Sequence, residues 1–317
     1  MGKGMTTGLF LAGIVVALTS AADITVPDGL LFEVDVPYGM ASERQRLDIL
    51  YRKDGGAPQP AIIHIHGGGW YTGGKGGERT FAVLQHFAEA GYVALSIEYR
   101  LSDDVKFPAA VEDCKLAVRW LRAHADRYGV DPDHIGAIGA SAGGHLSAML
   151  AVAGPAAGLE GDGPWQEYSS AVQAVVPVAA PFDLQAPLSL ALAAEDDPIV
   201  VRFLGGSLKE KADAARKGSP VTYVRKELPP MLILQGTADK RVDRTTQADV
   251  MIAALAAAGA PHEALFVEGG KHGMGIAREP KMLIRIVAFF DRYLKAHPLL
   301  SASSEMGHYV WGESASN

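Results

Sequence analysis

At 317 residues, 48% hydrophobic and 21% charged, the chain can bury one large core, the usual extent of a single α/β domain. A net charge of −7 and a pI near 5.8 argue against nucleic acid as a partner. The single cysteine, Cys114, excludes an internal disulfide and a cysteine-cluster metal site, and its place in the amphipathic run 110–122 makes it a small buried hydrophobe.

Residues 1–22 read as a signal peptide. Lys3 supplies the positive start, Leu9 to Leu18 the apolar stretch, and Thr19-Ser-Ala-Ala22 the small residues before a cut at Asp23. The apolar run is short for a bilayer span and no cysteine follows it, so the expectation is an exported protein, periplasmic or secreted, with no stable membrane anchor. One catalytic domain is expected over 23–300, followed by a C-terminal tail at 301–317.

The alternating runs Leu30–Tyr38 and Gln45–Tyr51 predict a leading antiparallel hairpin. The apolar run Pro60–His66 predicts a buried strand ending in His66-Gly-Gly-Gly-Trp70. Glycines at a strand's carboxyl end leave backbone N–H groups unshielded, able to face a developing oxyanion; a merely flexible loop, continued by Gly73–Gly77, is the plainer alternative. Gly69 to Lys75 begins like a phosphate-binding loop, but Gly76 stands where Ser or Thr should hold magnesium, so nucleotide binding is rejected.

A helix over Thr80–Ala90, a strand over Tyr92–Ile97, and the Cys114 helix running to about Arg127 follow. The strand Ile135–Ile138 then turns on Gly139-Ala-Ser-Ala-Gly143 into a helix. That is G-x-S-x-G between a strand and a helix, which leaves Ser141 at a strained apex with its hydroxyl exposed. An ordinary Gly-rich turn would look the same on this pattern alone. Alternating strands and helices predict an α/β fold: a mostly parallel twisted sheet flanked by helices, with ligands beyond the strands' carboxyl ends.

Residues 151–170 read as loop and Ala174–Ala179 as a strand. About fifty residues then precede Met231, too many for a plain connection, so a small partial cap of helices is expected over 181–228. Trp165, Phe182 and Leu190 would serve either as acyl-pocket walls or as cap core. Trp70 and His145 are candidates for contact with substrate, although His145, one turn past Ser141, also suits a packing role behind it. The strands Met231–Leu234 and Ala264–Val267 end just before Asp239 and His272. A serine hydroxyl needs an imidazole base, and the imidazole needs a carboxylate to fix its tautomer. The order Ser141, Asp239, His272, each after a strand, satisfies both. Asp183 is a rival acid, Asp243 reads as a solvated carboxylate, and the remaining histidines read as structural.

The chain resembles the esterase/lipase branch of the α/β-hydrolase family with an H-G-G-G-W loop, near feruloyl- and acetylxylan-esterase-like enzymes and related to the hormone-sensitive-lipase type. The likeness spans about Tyr38 to Leu294. It rests on His66–Trp70, Tyr99–Ser102, Phe107–Cys114, Gly139–Leu146, Gly236–Asp239 and Gly270–Gly273. It implies Ser141, Asp239 and His272 as a triad, the N–H groups of Gly68, Gly69 and Ala142 as an oxyanion hole, and no metal or cofactor. Ala140 departs from the Asp usual before the nucleophile in hormone-sensitive-lipase relatives, and too few residues precede the first strand for their N-terminal cap. The resemblance therefore implies an open site for a short or aromatic acyl group, acetyl or feruloyl, on a small-molecule or polysaccharide-linked ester. A lipase for longer chains, an arylformamidase-like amidase and a non-catalytic binding protein on the same fold are the alternatives.

Overall fold

A computed structural model describes residues 24–189 and 196–295. The expected signal peptide, the tail at 301–317 and Leu190 lie outside the described residues.

In chain order the strands are β1 (Leu30–Pro37), β2 (Arg46–Arg52), β3 (Gln59–Ile65), β4 (Val93–Ile97), β5 (Val130–Ala140), β6 (Ala174–Val178), β7 (Met231–Gly236) and β8 (His262–Val267). Among the described residues they form one sheet in the order β1-β2-β4-β3-β5-β6-β7-β8. β1 and β2 form the antiparallel hairpin, β2 joins β4 antiparallel, and every pairing from β4 to β8 is parallel.

The helices are α1 (Glu78–Glu89), α2 (Ala109–Ala123), α3 (Ala125–Tyr128), α4 (Ala142–Val152), α5 (Pro198–Leu204), α6 (Ala212–Lys217), α7 (Ala248–Ala258) and α8 (Pro280–Leu294). They cover both faces of the sheet, which is why its inner strands are apolar throughout rather than alternating. Along β3 the pleat divides the side chains: Ala61, Ile63 and Ile65 join the core beneath α2 and α4, while Ile62 joins Phe87, Phe289 and Phe290 beneath α1 and α8.

The differences from the sequence expectations are local. The Cys114 helix ends at Ala123 because His124, at φ −112, leaves helical geometry, and the short α3 follows. β5 begins at Val130 rather than Ile135 because Val130 pairs with Gln59 ahead of a register irregularity. Residues 181–228 carry only α5, α6 and a 3₁₀ turn at Pro220–Tyr223 in their described part, so the cover over the sheet's end is thin. The carboxyl ends of β3, β5, β7 and β8 are thereby gathered beside one another, where an open α/β sheet binds its ligands.

Candidate active site

β5 delivers the chain to Ser141, whose φ of 56 and ψ of −122 place a non-glycine residue in left-handed backbone space. That conformation costs on the order of 1–3 kcal/mol and persists because its surroundings hold it. The Ser141 N–H donates to the Val178 carbonyl at 2.8 Å, and its own carbonyl accepts the His145 N–H at 2.9 Å. The flanking glycines are sterically required. A Cβ on Gly139 would lie 2.5 Å from the Gly143 carbonyl, and one on Gly143 would lie 2.0 Å from the Ile65 oxygen. Only without side chains can the turn lie against the end of β3.

The loops after β7 and β8 bring Asp239 and His272 to this apex. His272 Nδ1 is 2.7 Å from Asp239 Oδ2, and its Nε2 is 2.9 Å from Ser141 Oγ. The Asp239 side chain is fully buried; Oδ1 accepts the N–H groups of Arg241 at 2.8 Å and Val242 at 3.0 Å, and Oδ2 also accepts Gln235 Nε2–H at 3.2 Å. Burial works to raise its pKa, but the hydrogen bond from His272 and those from the backbone outweigh it and hold the carboxyl below the ordinary value. An ionised carboxylate can only accept. Nδ1 therefore carries the hydrogen, and Nε2 is free to accept the Ser141 O–H. The rival acids are engaged elsewhere: Asp183 accepts the Gln185 N–H, and Asp243 accepts those of Thr245 and Thr246.

The Gly-rich loop after β3 is closed by the Tyr71 and Thr72 N–H groups, which donate to the Gly68 carbonyl at 3.2 and 3.1 Å. Gly68, at φ 116, could carry no side chain, since a Cβ would meet the Thr72 carbonyl at 2.1 Å. Among the described residues, the N–H groups of Gly68, Gly69 and Ala142 donate to nothing. His66 anchors the loop from below: its Nδ1–H donates to the Gly67 carbonyl at 2.7 Å and its ring stacks on Tyr99 at 4.2 Å. Burial depresses its pKa to about 4 against the raising effect of the Gly67 bond, so it stays neutral.

Two candidate substrate contacts do not line the cavity. His145 is completely buried, accepts the Trp70 indole N–H at Nδ1 (3.1 Å), and donates from Nε2 to the Gly218 carbonyl (2.7 Å). Burial, opposed by the Gly218 bond, pushes its pKa down to about 4. It joins the Gly-rich loop, the Ser141 helix and the segment after α6 from behind. Trp165 packs edge-on against His124 at 5.0 Å and does not reach the site. Phe182 is fully buried, with its N–H held by Gln247 Oε1. Trp70 does reach the cavity, with its ring stacked on Phe203 at 4.4 Å.

A cavity of about 370 Å³ opens over Ser141 and His272. Gly69, Trp70 and Ala142 line one part of it, Pro181, Leu188, Pro198 and Ile199 the cap side, and Lys240, Arg241 and Val242 the remainder. Sequence reading had no route to the cap-side residues, which share no motif with the nucleophile. Gln235 did carry a signal, as a polar residue closing an apolar strand. Among the described residues, no group of three or more His, Cys, Asp or Glu side chains is placed to share a metal ion. The arrangement can deprotonate a serine hydroxyl, hold an oxyanion and return a proton to a leaving group.

The family model BD-FAE matches residues 47–255. The chain is 32% identical over 229 residues to the esterase LipQ of Mycobacterium tuberculosis, covering 71% of this chain and 53% of LipQ. It spans about half the length of the curated relatives it matches. Among solved structures, a truncated carbohydrate esterase from gut microbiota is 28% identical with a TM-score of 0.77, covering 86% of this chain and 99% of that one. Esterase 2 of Thermogutta terrifontis, solved phosphoramylated by tabun, is 27% identical with a TM-score of 0.65, covering 84% and 93%. With its sheet order, its Ser141 turn and that family match in agreement, the chain belongs to the BD-FAE family and has the α/β-hydrolase fold.

Proposed function

We propose that the protein is an exported serine carboxylester hydrolase acting on short-acyl or aromatic-acyl esters, acetyl or feruloyl, borne by a polysaccharide or a small molecule. The observation that carries this reading is the unbroken chain from Asp239 through His272 to Ser141, opening on a cavity beside unpaired backbone donors. The esterase LipQ and the gut carbohydrate esterase support it by likeness. A cavity of about 370 Å³ sits at the small end of ligand sites, which suits a short acyl group better than a long chain.

Ser141 Oγ attacks the ester carbonyl as its proton passes to His272 Nε2. Asp239, ionised and buried, stabilises the imidazolium and keeps the ring in register. The carbonyl oxygen, now an oxyanion, takes hydrogen bonds from Gly68, Gly69 and Ala142, donors that need no rearrangement when charge develops. His272 gives the proton to the leaving alcohol, and water repeats the sequence in reverse to release the acid and restore Ser141.

The test is hydrolysis of p-nitrophenyl esters from acetyl to dodecanoyl, with methyl ferulate alongside and Ser141→Ala as control. Rates should peak at acetyl to butyryl or on ferulate and vanish in Ser141→Ala, which should stay folded. A peak at long chains would make the protein a lipase, and turnover surviving in Ser141→Ala would refute the nucleophile.

A further inference from the structure

Two cations line the cavity without a side-chain partner among the described residues. Lys240 and Arg241 follow Asp239 directly, and both are exposed and face the space over Ser141. Among the described residues, neither side chain makes a hydrogen bond or ion pair; the bonds recorded for them use the Lys240 carbonyl and the Arg241 N–H. Other cations behave differently: Arg202 pairs with Asp103, and Lys75 is held by Asp35 and Asp48 at 2.7 Å each. Asp197, the carboxylate that also lines the cavity, is turned to cap α5 by accepting the Ile199 N–H at 2.8 Å. In a chain of net charge −7, the uncommitted side-chain charge lining this mouth is positive among the described residues.

The position of these cations says which half of an ester meets them. His272 must hand its proton to the leaving oxygen, so the alcohol lies on the His272 side of Ser141. Lys240 and Arg241 belong to the same loop that holds His272 through Asp239, whereas Trp70 and Ile199 supply apolar wall beside the Gly-rich loop at Gly69. Resting on the esterase reading above, we infer that the preferred substrate carries a carboxylate on its alcohol half, as a hexuronate unit of an acidic polysaccharide does, with Lys240 and Arg241 as the residues that select it. A cleft lined by one sign of charge also raises the local concentration of such a substrate.

The experiment compares kcat/KM for a matched pair, O-acetylated methyl glucuronoside and O-acetylated methyl glucoside, which differ by a carboxylate in place of a hydroxymethyl group. O-acetyl-lactate is run as a small hydroxy-acid arm. Two partly exposed pairings should favour the acidic glycoside by about three- to tenfold at low salt. The preference should shrink toward parity near 1 M salt, where the screening length falls to about 3 Å. In Lys240→Ala/Arg241→Ala the ratio should fall to about one. Preference for acetyl-lactate over both glycosides would keep carboxylate selection and make the alcohol a small hydroxy acid. Turnover of the neutral glycoside with a wild-type ratio at or below one overturns the inference and leaves the esterase standing. A preference that survives in the double variant refutes the assignment to these residues. Inertness toward both glycosides and p-nitrophenyl acetate overturns the esterase reading itself.

Discussion

His145 supports two distinct bonds that can be cut one at a time. Replacement by leucine leaves the Trp70 indole N–H and the Gly218 carbonyl buried without partners. Each orphaned group costs about 1–3 kcal/mol, so His145→Leu should lose roughly 2–6 kcal/mol of folding stability, a large part of the 5–15 kcal/mol typical of a domain. Asparagine places an acceptor where Nδ1 lies and keeps the Trp70 bond, whereas glutamine places a donor where Nε2 lies and keeps the Gly218 bond. Trp70 immediately follows Gly69, whose N–H is a donor to the oxyanion in the proposed mechanism, and losing such a donor costs about 10²–10³ in kcat. His145→Gln should therefore lower kcat by about ten- to a hundredfold with little change in KM, while His145→Asn should lose stability yet keep kcat within a few-fold. Urea midpoints and p-nitrophenyl butyrate kinetics read both effects. Equal kcat in the Gln and Asn variants would refute the coupling between His145 and the Gly-rich loop.

Asp239→Asn should reduce kcat by on the order of 10⁴, because an amide facing Nδ1 no longer enforces the tautomer that leaves Nε2 as acceptor; near-wild-type turnover would remove Asp239 from the triad. A second expectation concerns acid. His64, His66 and His145 are buried with pKa values lowered from 6.5 to about 4, chiefly by burial. The unfolded chain takes up these protons near pH 6.5 and the folded chain does not, so stability present above that pH is lost as pH falls toward 4. With up to three protons involved, the slope reaches about 4 kcal/mol per pH unit. Urea midpoints measured from pH 7.5 to 4.5 should fall steeply, and a flat profile would contradict the burial of these rings as neutral species.

Much of this protein was legible along the chain because the relevant physics is local. Short, mainly apolar runs, such as 61–65 and 231–234, mark strands covered on both faces. Gly139 and Gly143 around Ser141 mark a turn that only glycine permits, and the Gly67–Gly69 run marks a backbone left open to a ligand. The residues of the Ser141–His272–Asp239 chain could be named from order alone, since each follows a strand and an open parallel sheet brings those ends together. Helices α7 and α8 were legible too, through Met251 and Leu255 and through Ile286, Phe289, Phe290 and Leu294, but they carry no chemistry and fell outside the expectations.

The rest depended on contacts between residues far apart in sequence. For His145 and Trp165 the sequence left substrate contact and packing both open, because a polar or aromatic side chain near a nucleophile is ambiguous in one dimension. Only packing shows that His145 faces inward, 75 positions from Trp70 and 73 from Gly218, the two residues it joins. The cavity walls at Pro181, Leu188 and Ile199 have no motif, because apolar lining needs only bulk and position. The charge at the mouth is likewise a tertiary property: Lys240 and Arg241 read as two more surface cations until the described carboxylates Asp197 and Asp243 are found committed to other partners. The sequence by itself pointed to the sheet, the turn and the candidate triad residues, because periodicity and glycine sterics act within a few residues. Tertiary structure alone decided which side chains face the cavity and which charges remain unpaired, because burial and ion pairing are settled only when distant segments meet.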